Sequence, residues 1–163
     1  MTFRLALLAA ICGRVCAASV ETNSAAPERI LLIDPSSMPV AAGKATLTIG
    51  PLQRANGVYA GDYQFKVIPY FWKNETGRLP IAVSDAKLAE IGQGKTVAIT
   101  GTAVTSGEDG KSRPIAATAT PVDPDHGKLK LWFTAGKRKM LFEPAYQFVG
   151  QKITGDLAET HQL

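Results

Sequence analysis

Apolar and polar residues alternate through most of this chain. Lys44 to Ile49 sets Ala45, Leu47 and Ile49 on one face and Thr46 and Thr48 on the other. Tyr59 to Ile68 opposes Tyr63, Phe65 and Val67 to Gln64 and Lys66. Lys95 to Thr105 opposes Val97, Ile99 and Ala103 to Thr96, Thr100 and Thr102. Gly127 to Thr134 opposes Leu129, Leu131 and Phe133 to Lys128, Lys130 and Trp132. A repeat of two is that of a strand with one face buried. Arg29 to Ile33, Arg78 to Val83, Pro114 to Thr120 and Lys139 to Glu143 are further strand candidates. Turn residues separate these runs: Asp34-Pro35-Ser36-Ser37, Gly50-Pro51, Asn56-Gly57, Asn74-Glu75-Thr76-Gly77, Gly107 to Gly110 and Ala135 to Arg138. Pro69 has no amide to give a ladder, so it marks an edge, a bulge or a corner.

The segment that reads helical is Ser84 to Gly92. Ser84 or Asp85 caps its first amides, Leu88 and Ile91 share a face, and Gly92 ends it. A helix this short needs packing against strands to persist. The pattern predicts an all-β fold: a small antiparallel barrel or sandwich of about 7 strands with one short helix near 84–92. The order of three strands, a helix and two strands is also compatible with an OB-like barrel.

The first residues follow a different rule. Arg4 precedes the unbroken apolar run Leu5 to Cys12, and Cys16-Ala17-Ala18-Ser19 supplies small residues for cleavage. A bilayer span needs about 20 apolar residues, so residues 1–18 read as an export signal. Neither cysteine follows a small residue, as lipoprotein processing requires. The expected organisation is a signal at 1–18, an N-terminal extension with a candidate first strand at 19–43, a β domain at 44–150, and a flexible tail at 151–163. The chain is expected to be exported, periplasmic or extracellular, with no transmembrane segment in the mature form.

Export changes the chemistry as well as the address. Both cysteines, Cys12 and Cys16, leave with the signal. The mature chain then has no disulfide, cysteine nucleophile or thiolate metal site. Arg4 and Arg14 leave too, so the 18 basic residues fall to 16 against 14 acidic ones. A net charge this near zero gives no general reason to bind polyanions.

Candidate chemistry is sparse. His126 sits in an expected turn and His161 near the C-terminus, neither held by an evident third group. Asp123-Pro124-Asp125-His126-Gly127 gathers oxygen ligands, but lacks the further ligands of a calcium loop and reads as a polar turn. The carboxylates Glu75, Asp85, Glu90, Glu108, Asp109 and Glu143 fall mostly in turns. No catalytic residue, metal site or cofactor is therefore assigned. Two clusters remain as binding candidates. Lys128, Lys130 and Trp132, with Lys137, Arg138 and Lys139 on the following hairpin, would suit an anionic glycan; the plainer role is protection of a sheet edge. Tyr70-Phe71-Trp72 would give an aromatic contact patch through Tyr70 and Trp72, although the expectation for this run is mainly core. Asn74-Glu75-Thr76 also matches a glycosylation sequon, with a turn the simpler role.

These features favour an exported non-catalytic β domain that binds or supports another macromolecule, either a protein or an anionic glycan. Export disfavours nucleic acid. The alternatives are an OB-like binder of an anionic oligosaccharide or oligonucleotide, and a secreted carboxylate-dependent hydrolase.

Overall fold

A computed structural model describes residues 29–41, 43–107, 110–135 and 138–150. The expected signal, the C-terminal tail, Glu108, Asp109, Lys137 and His161 lie outside the described residues. Over the described residues the fold is mostly antiparallel β, a curled half-barrel sheet with a single α-helix. Its strands are β1 (Ile30–Ile33), β2 (Ser36–Val40), β3 (Gly43–Ile49), β4 (Gln53–Ala55), β5 (Val58–Ile68), β6 (Glu75–Ala82), β7 (Val97–Thr105), β8 (Ser112–Pro121), β9 (His126–Ala135), β10 (Arg138–Phe142) and β11 (Ala145–Val149). The helix α1 is Asp85–Gly92. Among the described residues, no helix is long and apolar enough to cross a membrane.

From β5 to β9, neighbours in the sheet are neighbours in the chain, all paired antiparallel. This up-and-down order differs from the Greek-key connectivity of an OB barrel, so the OB-like alternative is not the one formed. The two ends of the sheet order are β1 and β2, which are consecutive in the chain. β1 pairs with β11, and β2 pairs with β3. On its other edge, Leu31 exchanges two backbone hydrogen bonds with Leu52, each 2.9 Å. The run from Ile30 to Val40 is thus the seam along which the sheet curls back on itself.

The 11 strands among the described residues exceed the expected number for a local reason. Asp34-Pro35, Gly50-Pro51 and Glu143-Pro144 each break a longer run into two segments: β1 and β2 pair with β11 and β3, whereas β3 and β4 both pair with β5, and β10 and β11 both pair with β9. Joined across these three breaks, the 11 segments make eight runs. The expected turn at 34–37 is also shorter than its residue types imply, because Ser36 and Ser37 already pair with Leu47 and Thr46.

Alternation is what fills the curl. Ala45, Leu47, Tyr63, Phe65, Leu129, Leu131 and Phe133 are all buried, on the registers expected of them. Phe133 is the hub: its ring stacks on Phe65 at 5.3 Å and meets Tyr63 edge-on at 5.7 Å. Between β4 and β5, Asn56 and Gly57 take positive φ values of 50° and 76°. Two consecutive left-handed residues turn a hairpin with the twist its strands need, and Asn-Gly tolerates that conformation best.

The α1 helix joins β6 to β7 where Ala82 and Val97 lie. Ser84 Oγ accepts a hydrogen bond from Lys87 N at 3.4 Å, as a helix cap should. Lys87 Nζ donates to the Ala98 carbonyl, and Ile91 is buried in the core. The helix therefore serves one end of the curl. The opposite end has no α-helix among the described residues, and the cavity lies there.

Candidate functional site

The open end is formed by the last residues of β5, β7 and β9 and the first of β6, β8 and β10. Alternation decides what they present. On β6, Gly77, Leu79 and Ile81 face inward, so Glu75 does too. On β8, Ile115 and Ala119 are buried, which sets Arg113 inward. On β10, Met140 and Phe142 are buried, and Arg138 shares their register. These side chains border a solvent-open cavity of about 1000 Å³. Phe65, Val67 and Met140 supply its apolar wall, and Tyr70, Trp72 and Lys73 stand on its rim.

Glu75 and Arg113 form the best-made polar contact in the cavity. Arg113 Nη2 donates to Glu75 Oε2 at 2.9 Å, and Nε lies 3.3 Å from both carboxylate oxygens. The two side chains are only 15% and 19% exposed, so water screens them less than a surface pair. Tyr63 OH donates to Glu75 Oε1 at 3.3 Å. Burial chiefly, then the neighbouring Glu75, pushes the Tyr63 phenol up to about 12, against the opposing pull of Arg113. A phenol held there donates a hydrogen bond and does not serve as a base near neutral pH.

The rim is a loop clamped at its base. The chain leaves β5 through a cis Ile68–Pro69 peptide and makes a single 3₁₀ turn over Phe71–Lys73. Asn74 Oδ1 accepts a hydrogen bond from Val67 N at 2.8 Å, tying the return of the loop to its departure. Tyr70 meets Trp72 edge-on at 5.3 Å, and Lys73 Nζ lies 5.2 Å from the Tyr70 ring centre. Phe71 and Trp72 are 64% and 76% exposed. Phe71 and Trp72 are therefore not core, whereas Tyr70 is partly buried against it. A 3₁₀ turn, unlike a buried strand, carries Phe71 and Trp72 outward and leaves Tyr70 and Trp72 beside the cavity. The expected turn at Asn74 to Gly77 lies earlier for the same reason, and β6 begins at Glu75.

Two groups of candidate residues thus separate. Tyr70, Trp72 and Arg138 come together at the cavity. Lys128, Lys130 and Trp132 lie on the outward register of β9, with Lys139 outward on β10. There Lys139 Nζ sits 4.7 Å from the Trp132 ring centre. The ammonium covers one face of the indole, the surface a sugar or base would need for stacking. Arg138, next in sequence to Lys139, faces the opposite way because successive strand residues do.

The other sequence candidates are apart from the cavity. Asp123 Oδ1 accepts from the backbone N–H groups of Asp125 and His126 at 2.8 and 2.7 Å and contacts His126 Nδ1 at 3.0 Å. The Asp125 amide first, then the His126 side chain, hold the Asp123 carboxyl below its usual range. That is a self-satisfied turn. Asp85 pairs with Arg54 beside α1. Of the acidic residues described, Glu75 alone lines the cavity. Sequence reasoning missed Glu75, Arg113 and Tyr63 as a set. The available signal was charge on an inward register at the start of a strand.

Comparisons with family models, curated proteins and solved structures give no match for this chain.

Proposed function

We propose that this protein is an exported, non-catalytic binding domain, and that its ligand, or a protruding group of a larger partner, enters the open end of the curled sheet. The observation that carries this reading is the cavity of about 1000 Å³, walled by core side chains and rimmed by an exposed tryptophan. Binding pockets commonly have volumes of roughly 300–1,000 Å³ and pair apolar walls with a few polar groups. A catalytic reading has less support. Glu75 is engaged by Arg113 and Tyr63, and no second described carboxylate lines the same cavity. The outer lysine face has less support as a binding surface, since its indole is already covered by Lys139, and because β9 is paired on both sides Lys128 and Lys130 guard no sheet edge.

The test is chemical-shift mapping of the isotope-labelled mature chain against benzoate, phenol, glucose and spermine. Shifts at Phe65, Val67, Met140 and Trp72 with at least one probe support the reading. Shifts confined to Lys128, Lys130 and Trp132, or none with any probe, overturn it. Intact mass of the exported product checks the leader: loss of residues 1–18 is expected, and retention of Leu5 to Cys12 would refute export processing.

A further inference from the structure

The charged groups at the cavity differ in how far they are already used. Glu75 has its carboxylate taken up by Arg113 and by the Tyr63 hydroxyl. Arg113 spends Nε and Nη2 on Glu75, which leaves its Nη1 donors without a partner among the described residues. Arg138 makes no ion pair or hydrogen bond among the described residues. Lys73 adds positive charge on the rim, while Lys66 lies on the outward register of β5. Glu75, the one acid among the described lining residues, is thus neutralised locally, while guanidinium donors remain open toward the cavity. A guanidinium fork matches a carboxylate or sulfonate in planar, two-point geometry.

The remaining surface is apolar. Phe65, Val67 and Met140 are buried residues whose edges form the wall, and Trp72 projects beside it. Free sugars and inorganic ions would leave that surface unfilled. A neutral hydrocarbon would fill it and leave the arginines unused. Charge and apolarity meet in one cavity, so the matching ligand carries both.

We infer that the cavity takes a small amphipathic organic anion, its acid group on Arg138 and the Arg113 Nη1 donors and its apolar body against Phe65, Val67, Met140 and Trp72. This rests on the binding reading above and adds the ligand class and its orientation. Tyr63 and Glu75 are positioning residues here: they fix the Arg113 plane without touching the ligand.

Two fluorescent probes test it, 8-anilino-1-naphthalenesulfonate and N-phenyl-1-naphthylamine, which share a ring skeleton and differ in the sulfonate. The expected result is that the sulfonate binds about tenfold more tightly, the loss of one charge-assisted contact. Arg138→Gln should bring the sulfonate close to the neutral probe and leave the neutral probe unchanged. Trp72→Leu should weaken both. Arg138 and Trp72 are exposed, so both variants should keep the far-ultraviolet circular dichroism of the parent. Equal binding of both probes, unaffected by Arg138→Gln, would overturn the anion assignment and leave the binding reading standing. Sulfonate binding lost in Lys128→Glu with Lys130→Glu, but kept in Arg138→Gln, would move the site to the outer face and overturn the inference. Binding of neither probe would overturn the cavity itself as a ligand site.

Discussion

Replacing Arg113 by methionine keeps most of the aliphatic stem and removes the charge that holds Glu75. What remains for the carboxylate is the Tyr63 hydroxyl at 3.3 Å. Removing one partner of a fully buried ion pair costs about 3–5 kcal/mol, whereas an exposed pair is worth about 0–1 kcal/mol. Glu75 and Arg113 are 15% and 19% exposed and open onto a wet cavity, which places them between those limits. We expect Arg113→Met to lower stability by about 2 kcal/mol. The molecule supplies its own control in Arg78 and Asp62, which are 4.0 Å apart and 71% and 86% exposed. Arg78→Met should cost under about 0.5 kcal/mol. Urea unfolding of two double-mutant cycles, Glu75→Gln with Arg113→Met and Asp62→Asn with Arg78→Met, isolates the coupling in each pair. The inner pair should couple by about 1–2 kcal/mol and the outer by about 0–0.5 kcal/mol. Equal coupling in the two cycles would refute the claim that the strand register, by burying Glu75 and Arg113, makes their contact the stronger one.

Three other outcomes follow from the same geometry. A Cβ at Gly77 would lie 2.1 Å from the Val104 carbonyl oxygen and 2.7 Å from Tyr63 Cε1. Backbone cannot yield by that much, so Gly77→Ala should cost about 3 kcal/mol in chemical unfolding; a loss below about 1 kcal/mol would be inconsistent with this β6–β7 approach. Burial chiefly raises the phenols of Tyr63, to about 12, and of Tyr59 and Tyr146. Below pH 10, the ordinary value, folded and unfolded chains keep these protons alike and the stabilisation is whole; it drains away as pH climbs from 10 to about 12 for Tyr63. Unfolding followed at stepped pH should show that decline, and Tyr63→Phe should flatten part of it. Asn74→Ala removes the 2.8 Å bond to Val67 N that closes the rim loop. A loss of about 1 kcal/mol is expected, with partial recovery in Asn74→Asp, which keeps the acceptor; thermal unfolding of the two variants decides it.

The strand interiors were open to direct reading. Ala45, Leu47, Tyr63, Phe65, Val67, Leu129 and Phe133 are buried where alternation put them, because a period of two leaves a half-buried strand one choice of face. The α1 cap and the Asn56-Gly57 turn were legible too, since each depends on a few adjacent residues. Mistakes gathered where a local preference met a distant partner. Ser36 and Ser37 favour a turn, yet they lie in β2 because β3 offers a ladder. Tyr70-Phe71-Trp72 looks apolar enough for the core, and the turn that follows Pro69 sends Phe71 and Trp72 outward while Tyr70 stays half-buried.

The cavity shows the same division. The sequence gathered Lys137, Arg138 and Lys139 as one cluster; Lys137 lies outside the described residues, and the sheet turns Arg138 and Lys139 to opposite faces. Glu75 and Arg113 stand 38 residues apart and meet only because β6 and β8 flank β7 in the curl. By itself the sequence determined the alternation, the helix cap and the composition of each strand face, all of which act over a few residues. Which strand ends meet around one cavity, and which charges they bring within reach of each other, was decided only by the curling of the sheet, because pairing across long separations depends on every strand between.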